Sequence, residues 1–396
     1  MSVKAITEYH YNSTEMLADP DQVFDRLRAE GEVVWSPKMR RWLILSEAAA
    51  KAALRDRSLR VYDVFKAFDH IASLSGNPLD ELATVTSWIP FLADDQRHKQ
   101  LRLLFAKVLN GILEPYLKAY EDASSEMIAA LKSVGTGDFA TGYADRVHVE
   151  AFGRICGISA EDRLAFASLA SSDGAVDFAV RVVTLVEAND RAKALLSQMV
   201  KILERAEDTA LIRLIGKRLR EAGIEDTLQS RAEFLVALTL LGRDTLAGSL
   251  TIWLAEMFDA ENGRLQPGTW PETSAMLDEV LRVSSAVQIV NRVALKPVTI
   301  GGQKIEEGEI LMIFLPAANR DPRSFECPHR FSVAHAPGLP FGVGPHACVG
   351  KQMTYKALQI TLRHLSTLSE ITARPGRQLA DGRNTRKYSK LPITVR

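Results

Sequence analysis

Twelve residues near the C-terminus, Leu339-Pro-Phe-Gly-Val-Gly-Pro-His-Ala-Cys-Val-Gly350, hold three glycines, two prolines and one cysteine, and an amphipathic helical pattern follows at once. Glycine lets a backbone turn sharply and approach a flat ligand closely. The helix expected after Cys348 would aim its positive end back at the sulfur and favour the thiolate. A lone thiolate on a rigid glycine-rich loop is what an axial iron ligand requires. The same run also reads as a glycine-rich loop around a buried cysteine.

Composition sets the broad class. Of 396 residues, 46% are hydrophobic and 25% charged, the balance of a soluble globular protein. Basic and acidic residues number 49 each, which argues against a nucleic-acid binder. Cys156, Cys327 and Cys348 are odd in number and far apart, so neither a disulfide framework nor a Cys-x-x-Cys zinc site is expected. A reducing cytoplasm fits. The first ten residues have neither the apolar core nor the cleavage pattern of a signal peptide. The longest apolar run, Phe234–Leu241, falls far short of a membrane span.

Along the chain, short helical and strand-like pieces alternate up to residue 60. Residues 68–92 are weakly periodic, contain Ser, Gly and Pro, and predict a long loop. From His98 to Arg220 helical periodicity dominates, with breaks near Gly135 and Gly157. Residues 229–260 predict one helix of roughly 45 Å, apolar over most of its circumference in the middle and so routed through the core. Pro271 is expected to open a helix ending near Val283. Residues 286–315 read as strands, with Gly301-Gly302 as a hairpin turn. A helix of about 17 residues follows the Cys loop. No repeat or linker is visible, so residues 1–396 are expected to form a single, mainly α domain with a small β region.

The run from Phe341 to Gly350 resembles the haem-binding loop of cytochrome P450 enzymes, Phe-Gly-x-Gly-x-His-x-Cys-x-Gly, with Phe341, Gly342, Gly344, His346, Cys348 and Gly350 at its fixed positions. The resemblance implies a cytochrome P450 fold with a long central helix over the haem. It also implies haem b (iron protoporphyrin IX) as cofactor and Cys348 as the iron ligand. Upstream, Asp278-Glu-Val-Leu-Arg282 puts Glu279 and Arg282 on one helix face. Alone such a pair means little, but it stands where the family has its Glu-x-x-Arg. The resemblance then implies a buried ion triad completed by Arg330, in Pro328-His-Arg-Phe331.

The long helix carries Leu241-Gly-Arg-Asp-Thr-Leu246, which resembles the family's oxygen-activation motif. A glycine inside a helix costs about 1 kcal/mol against alanine, so Gly242 needs a reason, and close approach of a small ligand is one. Carried over from the family, Thr245 would hydrogen-bond the oxygen being reduced and Asp244 would feed protons toward it. Gly242, Asp244 and Thr245 are thus the implied catalytic set. The other reading of Thr245 is a hydroxyl bonded back to the preceding turn. Leu241 and Leu246 depart from the family pattern, and Leu241 should crowd the distal pocket. Arg243, about 200° from Thr245, should face away from the haem. For the two haem propionates the resemblance implies His98 and Arg102, one turn apart, with Arg292 and His346. Ala318-Asn-Arg-Asp-Pro322 and Phe325 also match, whereas Ala357 stands where the family often has Glu.

Pocket walls in such enzymes would here be drawn from Trp88, Ile89, Phe91, Ala237, Leu238, Leu241, Ala286, Val287, Gln288 and Ile289. This set is mostly apolar with one amide, and each member has a core-packing reading too. It suggests a small to medium hydrophobic substrate. No Gly-x-Gly-x-x-Gly follows a strand and no second cysteine cluster exists. Electrons are therefore expected from a separate ferredoxin or flavodoxin with its NAD(P)H reductase. That partner would dock on Arg97, Lys99, Lys107, Lys351 and Lys356. No nucleic-acid or membrane partner is expected. The resemblance implies a monooxygenase that inserts one oxygen atom from O2 into its substrate. One rival is a haem-thiolate enzyme for coupling, desaturation, dehydration or peroxide-driven oxidation. The intact Asp244–Thr245 pair counts against it and Leu241 counts for it. The other rival is a haem-binding sensor, for which no signalling segment is visible.

Overall fold

A computed structural model describes residues 15–16, 19–170, 182–206, 208–271, 273–380 and 384–396, and helices dominate it. The described chain divides into two units. One comprises residues up to Tyr62 together with Ser274–Cys348; the other comprises Asp63–Thr273 and Val349–Arg396.

The first unit is built on a five-stranded sheet in the order Val33–Ser36, Arg41–Ile44, Ile310–Phe314, Ile289–Ala294, Leu59–Val61. Its pairings are antiparallel except for Arg41–Ile44 beside Ile310–Phe314, which is parallel. Successive strand residues point to opposite faces, and the apolar run Leu311-Met-Ile-Phe314 feeds two cores. Leu311 and Ile313 join Ile44 and the alanines of helix Glu47–Arg55. Met312 and Phe314 join Leu43 and Phe24, Val23 and Leu27 of helix Pro20–Glu30. Gly301 and Gly302 both take positive φ, 53° and 75°, and close the hairpin Val298–Ile300/Gln303–Ile305 as expected.

The second unit is mostly helical. Its two longest helices are Asp95–Val134 and Leu228–Ala260, the latter started by a capping box between Thr227 and Ser230. Among the described residues, Leu228–Ala260 is the one helix long and apolar enough to cross a membrane by length and composition. Its apolar window is 78% buried within the protein, which makes it a core helix. It packs on helices Asp145–Ile155 and Val182–Arg205. A four-stranded antiparallel sheet runs Thr136–Asp138, Pro392–Val395, Ile371–Ala373, Arg264–Leu265.

Three expectations need correcting. Residues 68–92 are not a long loop but helices Val64–Ser75 and Asp80–Ser87 and a turn at Pro90–Leu92. Asp63 caps the first helix by accepting from Phe65 and Lys66 N–H, Gly76 ends it at φ 69°, and Val64, Phe68 and Ile71 bury one face. Pro271 lies outside the helix it was expected to open, which runs Ser274–Ser284. The helix after the Cys loop, Lys351–Leu365, has 15 residues.

Candidate active site

In the first unit, Gly342 and Gly344 adopt φ values of 60° and 81° and fold the Cys loop back on itself. A Cβ on Gly344 would stand 2.5 Å from the Leu54 carbonyl oxygen, so glycine is required there by both conformation and space. The bend is held by Cys348 N–H donating to Phe341 O at 2.9 Å, Ala347 N–H to Gly344 O at 3.1 Å and Gly342 N–H to Leu339 O at 3.0 Å. Phe341 is half-buried at its start. Cys348 is exposed, so the reading of a buried structural cysteine does not hold. Cys156 is the buried one, its thiol pushed up to about 12 by burial. Arg292 is buried on the strand Ile289–Ala294 and donates to the Asn291 carbonyl at 2.9 Å, and His346 is half-buried. One accessible soft ligand on a fixed loop, with cationic side chains in the same unit, fits the donor set of a thiolate-held haem.

The ion triad differs from the one expected. Arg282 Nε and Nη2 donate to the two Glu279 carboxylate oxygens at 2.7 Å each, both residues fully buried. The third side chain is His335, whose Nδ1 lies 2.9 Å from Glu279 Oε1. Arg330 is exposed and contributes only its backbone carbonyl, 3.3 Å from Arg282 Nη2. Ser332 N–H also donates to Glu279. Burial alone would raise the Glu279 pKa. Arg282, the Ser332 amide and His335 together outweigh it and hold the carboxyl below its usual range.

In the second unit, the long helix presents Leu241-Gly-Arg-Asp-Thr-Leu246 differently from the expectation. Thr245 Oγ1 donates to the Leu241 carbonyl at 2.8 Å, the back-bonded reading. Gly242 makes room for a side chain. His148 packs on it so closely that a Cβ would stand 2.5 Å from both Cε1 and Nε2. His148 Nδ1 is 2.7 Å from the Tyr116 hydroxyl, and burial, helped by the Arg243 charge, pushes its pKa down to about 3. Asp244 Oδ1 sits 2.7 Å from Arg243 Nη1 and 3.3 Å from Lys387 Nζ. Both cations also reach Asp145 Oδ1, at 2.9 and 3.0 Å. Asp145, His148 and Lys387 were not found by sequence reasoning. They come from segments distant in the chain, and no spacing signals them.

His98 is buried and Arg102 half-buried, one turn apart near the start of helix Asp95–Val134. Gly350 opens helix Lys351–Leu365 with no side-chain cap, which leaves the positive end of its dipole to other partners. Of the proposed pocket residues, Trp88 is buried against Phe234 and donates from Nε1 to Glu233 at 3.0 Å. Ile89 and Leu238 are buried, Leu241 is half-buried and Phe91 is exposed. Gln288 is buried, its amide nitrogen donating to the Ser285 carbonyl at 2.6 Å. Val287 packs at the edge of the Ile44 cluster. Ile289 lies in the core with Phe24 and Phe314, so for this residue the core-packing reading holds. Of the candidate docking cations, Arg97, Lys99, Lys351 and Lys356 are exposed, whereas Lys107 is paired with Glu221 at 3.3 Å.

The cytochrome P450 family model matches residues 270–366. A putative cytochrome P450 140 of Mycobacterium tuberculosis H37Rv is 30% identical over 210 residues, 51% of this chain and 44% of that relative's own length. The beta-dihydromenaquinone-9 omega-hydroxylase of the same organism is 24% identical over 377 residues, covering 91% of this chain and 72% of the relative. The crystal structure of CalO2 superposes with a TM-score of 0.80 over 98% of this chain and 99% of its own, at 19% identity.

Proposed function

We propose that this chain, whose residues 270–366 match the cytochrome P450 family model, is a cytochrome P450 monooxygenase inserting one oxygen atom from O2 into a small to medium, mostly hydrophobic organic molecule. The observation that carries this reading is the complete Cys loop, with its single accessible thiol on a glycine-bent backbone. Cys348 would hold the iron of haem b as a thiolate. His98, Arg102, Arg292 and His346 would neutralise the two propionates, with Phe341, Gly342 and Gly350 shaping the loop and the helix start beside it. Bound haem would supply the redox chemistry that activates dioxygen. The chain's own part is to bind and orient the substrate, exclude water and move protons. The ionised Asp244 carboxylate would take up protons one at a time and pass them to Thr245, which, freed from the Leu241 carbonyl, would relay them. Leu238, Leu241 and Val287 suit an apolar substrate, as does likeness to a relative named for a menaquinone hydroxylase. Electrons would come from a separate ferredoxin or flavodoxin with its NAD(P)H reductase. The whole chain would act as one haem domain in the cytoplasm, where the thiol stays reduced.

A second reading has its own support. Thr245 is back-bonded and Asp244 is engaged by two cations, an arrangement that favours peroxide-driven or non-oxygenating oxidation. The haem-loaded protein, a surrogate ferredoxin system, a compound library and isotope-labelled O2 separate the two. Monooxygenation puts one labelled atom into product for each NAD(P)H consumed. Product formed with peroxide but not with O2 and NAD(P)H, or product without label, contradicts it.

A further inference from the structure

Arg243, Asp145, Lys387 and Asp244 form a closed ring of ion pairs inside the second unit. Their side chains are 0%, 8%, 6% and 15% exposed, and the two cations balance the two anions. The neighbouring His148 is kept neutral and adds no charge, and its partner Tyr116 stays protonated because burial raises its pKa. Asp145 is doubly tied to Arg243, through its carboxylate and through its backbone carbonyl, which accepts from Arg243 Nε at 3.2 Å. Asp244 depends on Arg243 Nη1 and on Lys387, and both take the same oxygen, Oδ1. Lys387 is fixed to the long helix from outside it, because the next residue, Tyr388, donates its N–H to Thr251 Oγ1 at 3.1 Å.

We propose that Lys387 is the positioning residue of the acid. It holds Asp244 Oδ1 into the ring, keeps the carboxylate ionised, and leaves Oδ2 as the oxygen that takes and releases protons. The proposal rests on the monooxygenase reading for its catalytic meaning but not for its electrostatics. Without the ammonium, two buried carboxylates would face one cation, and a buried charge left uncompensated takes up a proton rather than persist. Asp145 keeps both of its Arg243 contacts, so Asp244 is the group that would neutralise.

The test uses Lys387→Gln, Lys387→Arg and Lys387→Gln/Asp244→Asn in the haem-loaded protein. Infrared spectra at neutral pH should show about one new protonated carboxyl per chain in Lys387→Gln, absent from the wild type and from Lys387→Arg, and lost in the double variant. The same Lys387→Gln enzyme should release a larger share of NAD(P)H electrons as peroxide, and Lys387→Arg should restore the wild-type share. No new carboxyl band, or a band that survives Asp244→Asn, overturns the proposal. So does an unchanged peroxide share where Thr245→Ala raises it. Where Lys387→Gln does not fold, Asp145→Asn/Lys387→Gln restores the charge balance and should show no band; a band there also overturns it. A wild type that never inserts oxygen defeats the monooxygenase reading alone, and the infrared band still decides the role of Lys387.

Discussion

At Gly242 two small energies oppose each other. Alanine would gain about 1 kcal/mol of helix propensity, but its Cβ would press into His148, and overpacking of this kind costs about 1–3 kcal/mol. Gly242→Ala should therefore lower the melting temperature, and His148→Ala in the same chain should recover part of the loss. His148 also sets a pH dependence. Its folded pKa, about 3, lies below the ordinary 6.5, so between these values the unfolded chain binds more protons. The stability is present above pH 6.5 and is lost as pH falls. Replacing His148 with Phe should flatten the acid limb of a melting curve against pH; an unchanged slope would contradict the assignment. His329 has the opposite sign, because hydrogen bonding to Asp21 raises its pKa and that contribution is lost as pH rises. The Glu279–Arg282 pair was legible from its i, i+3 spacing, but its third member was not. His335 reaches Glu279 only because the chain returns there 56 residues later. Glu279→Ala should cost about 3–5 kcal/mol by leaving Arg282 buried and unpaired, whereas Arg330→Ala should stay within about 0.5 kcal/mol. Chemical denaturation of the two variants distinguishes the observed triad from the one expected.

Elements were legible where a backbone rule overrides context. The Gly301-Gly302 hairpin followed from two residues that accept positive φ, and the long helix from apolar residues around most of its circumference in the middle. The helices within residues 64–87 were missed because Ser73, Ser75, Gly76 and Pro78 signal a loop between two short apolar stripes. The signals that mark the first, Asp63 as cap and Gly76 as terminator, are single residues, and the second has no side-chain cap at all. The Cys loop was legible as a motif, and the structure adds its physical cause: Gly344 lies against the end of helix Glu47–Arg55. Gly344→Ala should displace that loop without unfolding the sheet. Far-ultraviolet circular dichroism should stay close to wild type while haem bound per protein falls. Full haem retention would mean that the loop tolerates a conformation its geometry disfavours.

For the molecule as a whole, a net charge of zero hides local exposed cations at Arg97, Lys99, Lys351 and Lys356. Reversing these four charges should slow reduction by an acidic ferredoxin at low salt, with the difference from wild type shrinking as salt screens it. Reversing Lys107, already paired with Glu221, should matter less. These expectations all depend on a thiolate-held haem. The most direct test is the absorption spectrum of the purified protein, reduced with dithionite and exposed to carbon monoxide, beside that of Cys348→Ala. A strongly red-shifted Soret band in the wild type, lost in the variant, is the predicted result. An ordinary haem–carbon monoxide band in the wild type, or a red-shifted band that survives Cys348→Ala, would contradict Cys348 as the ligand.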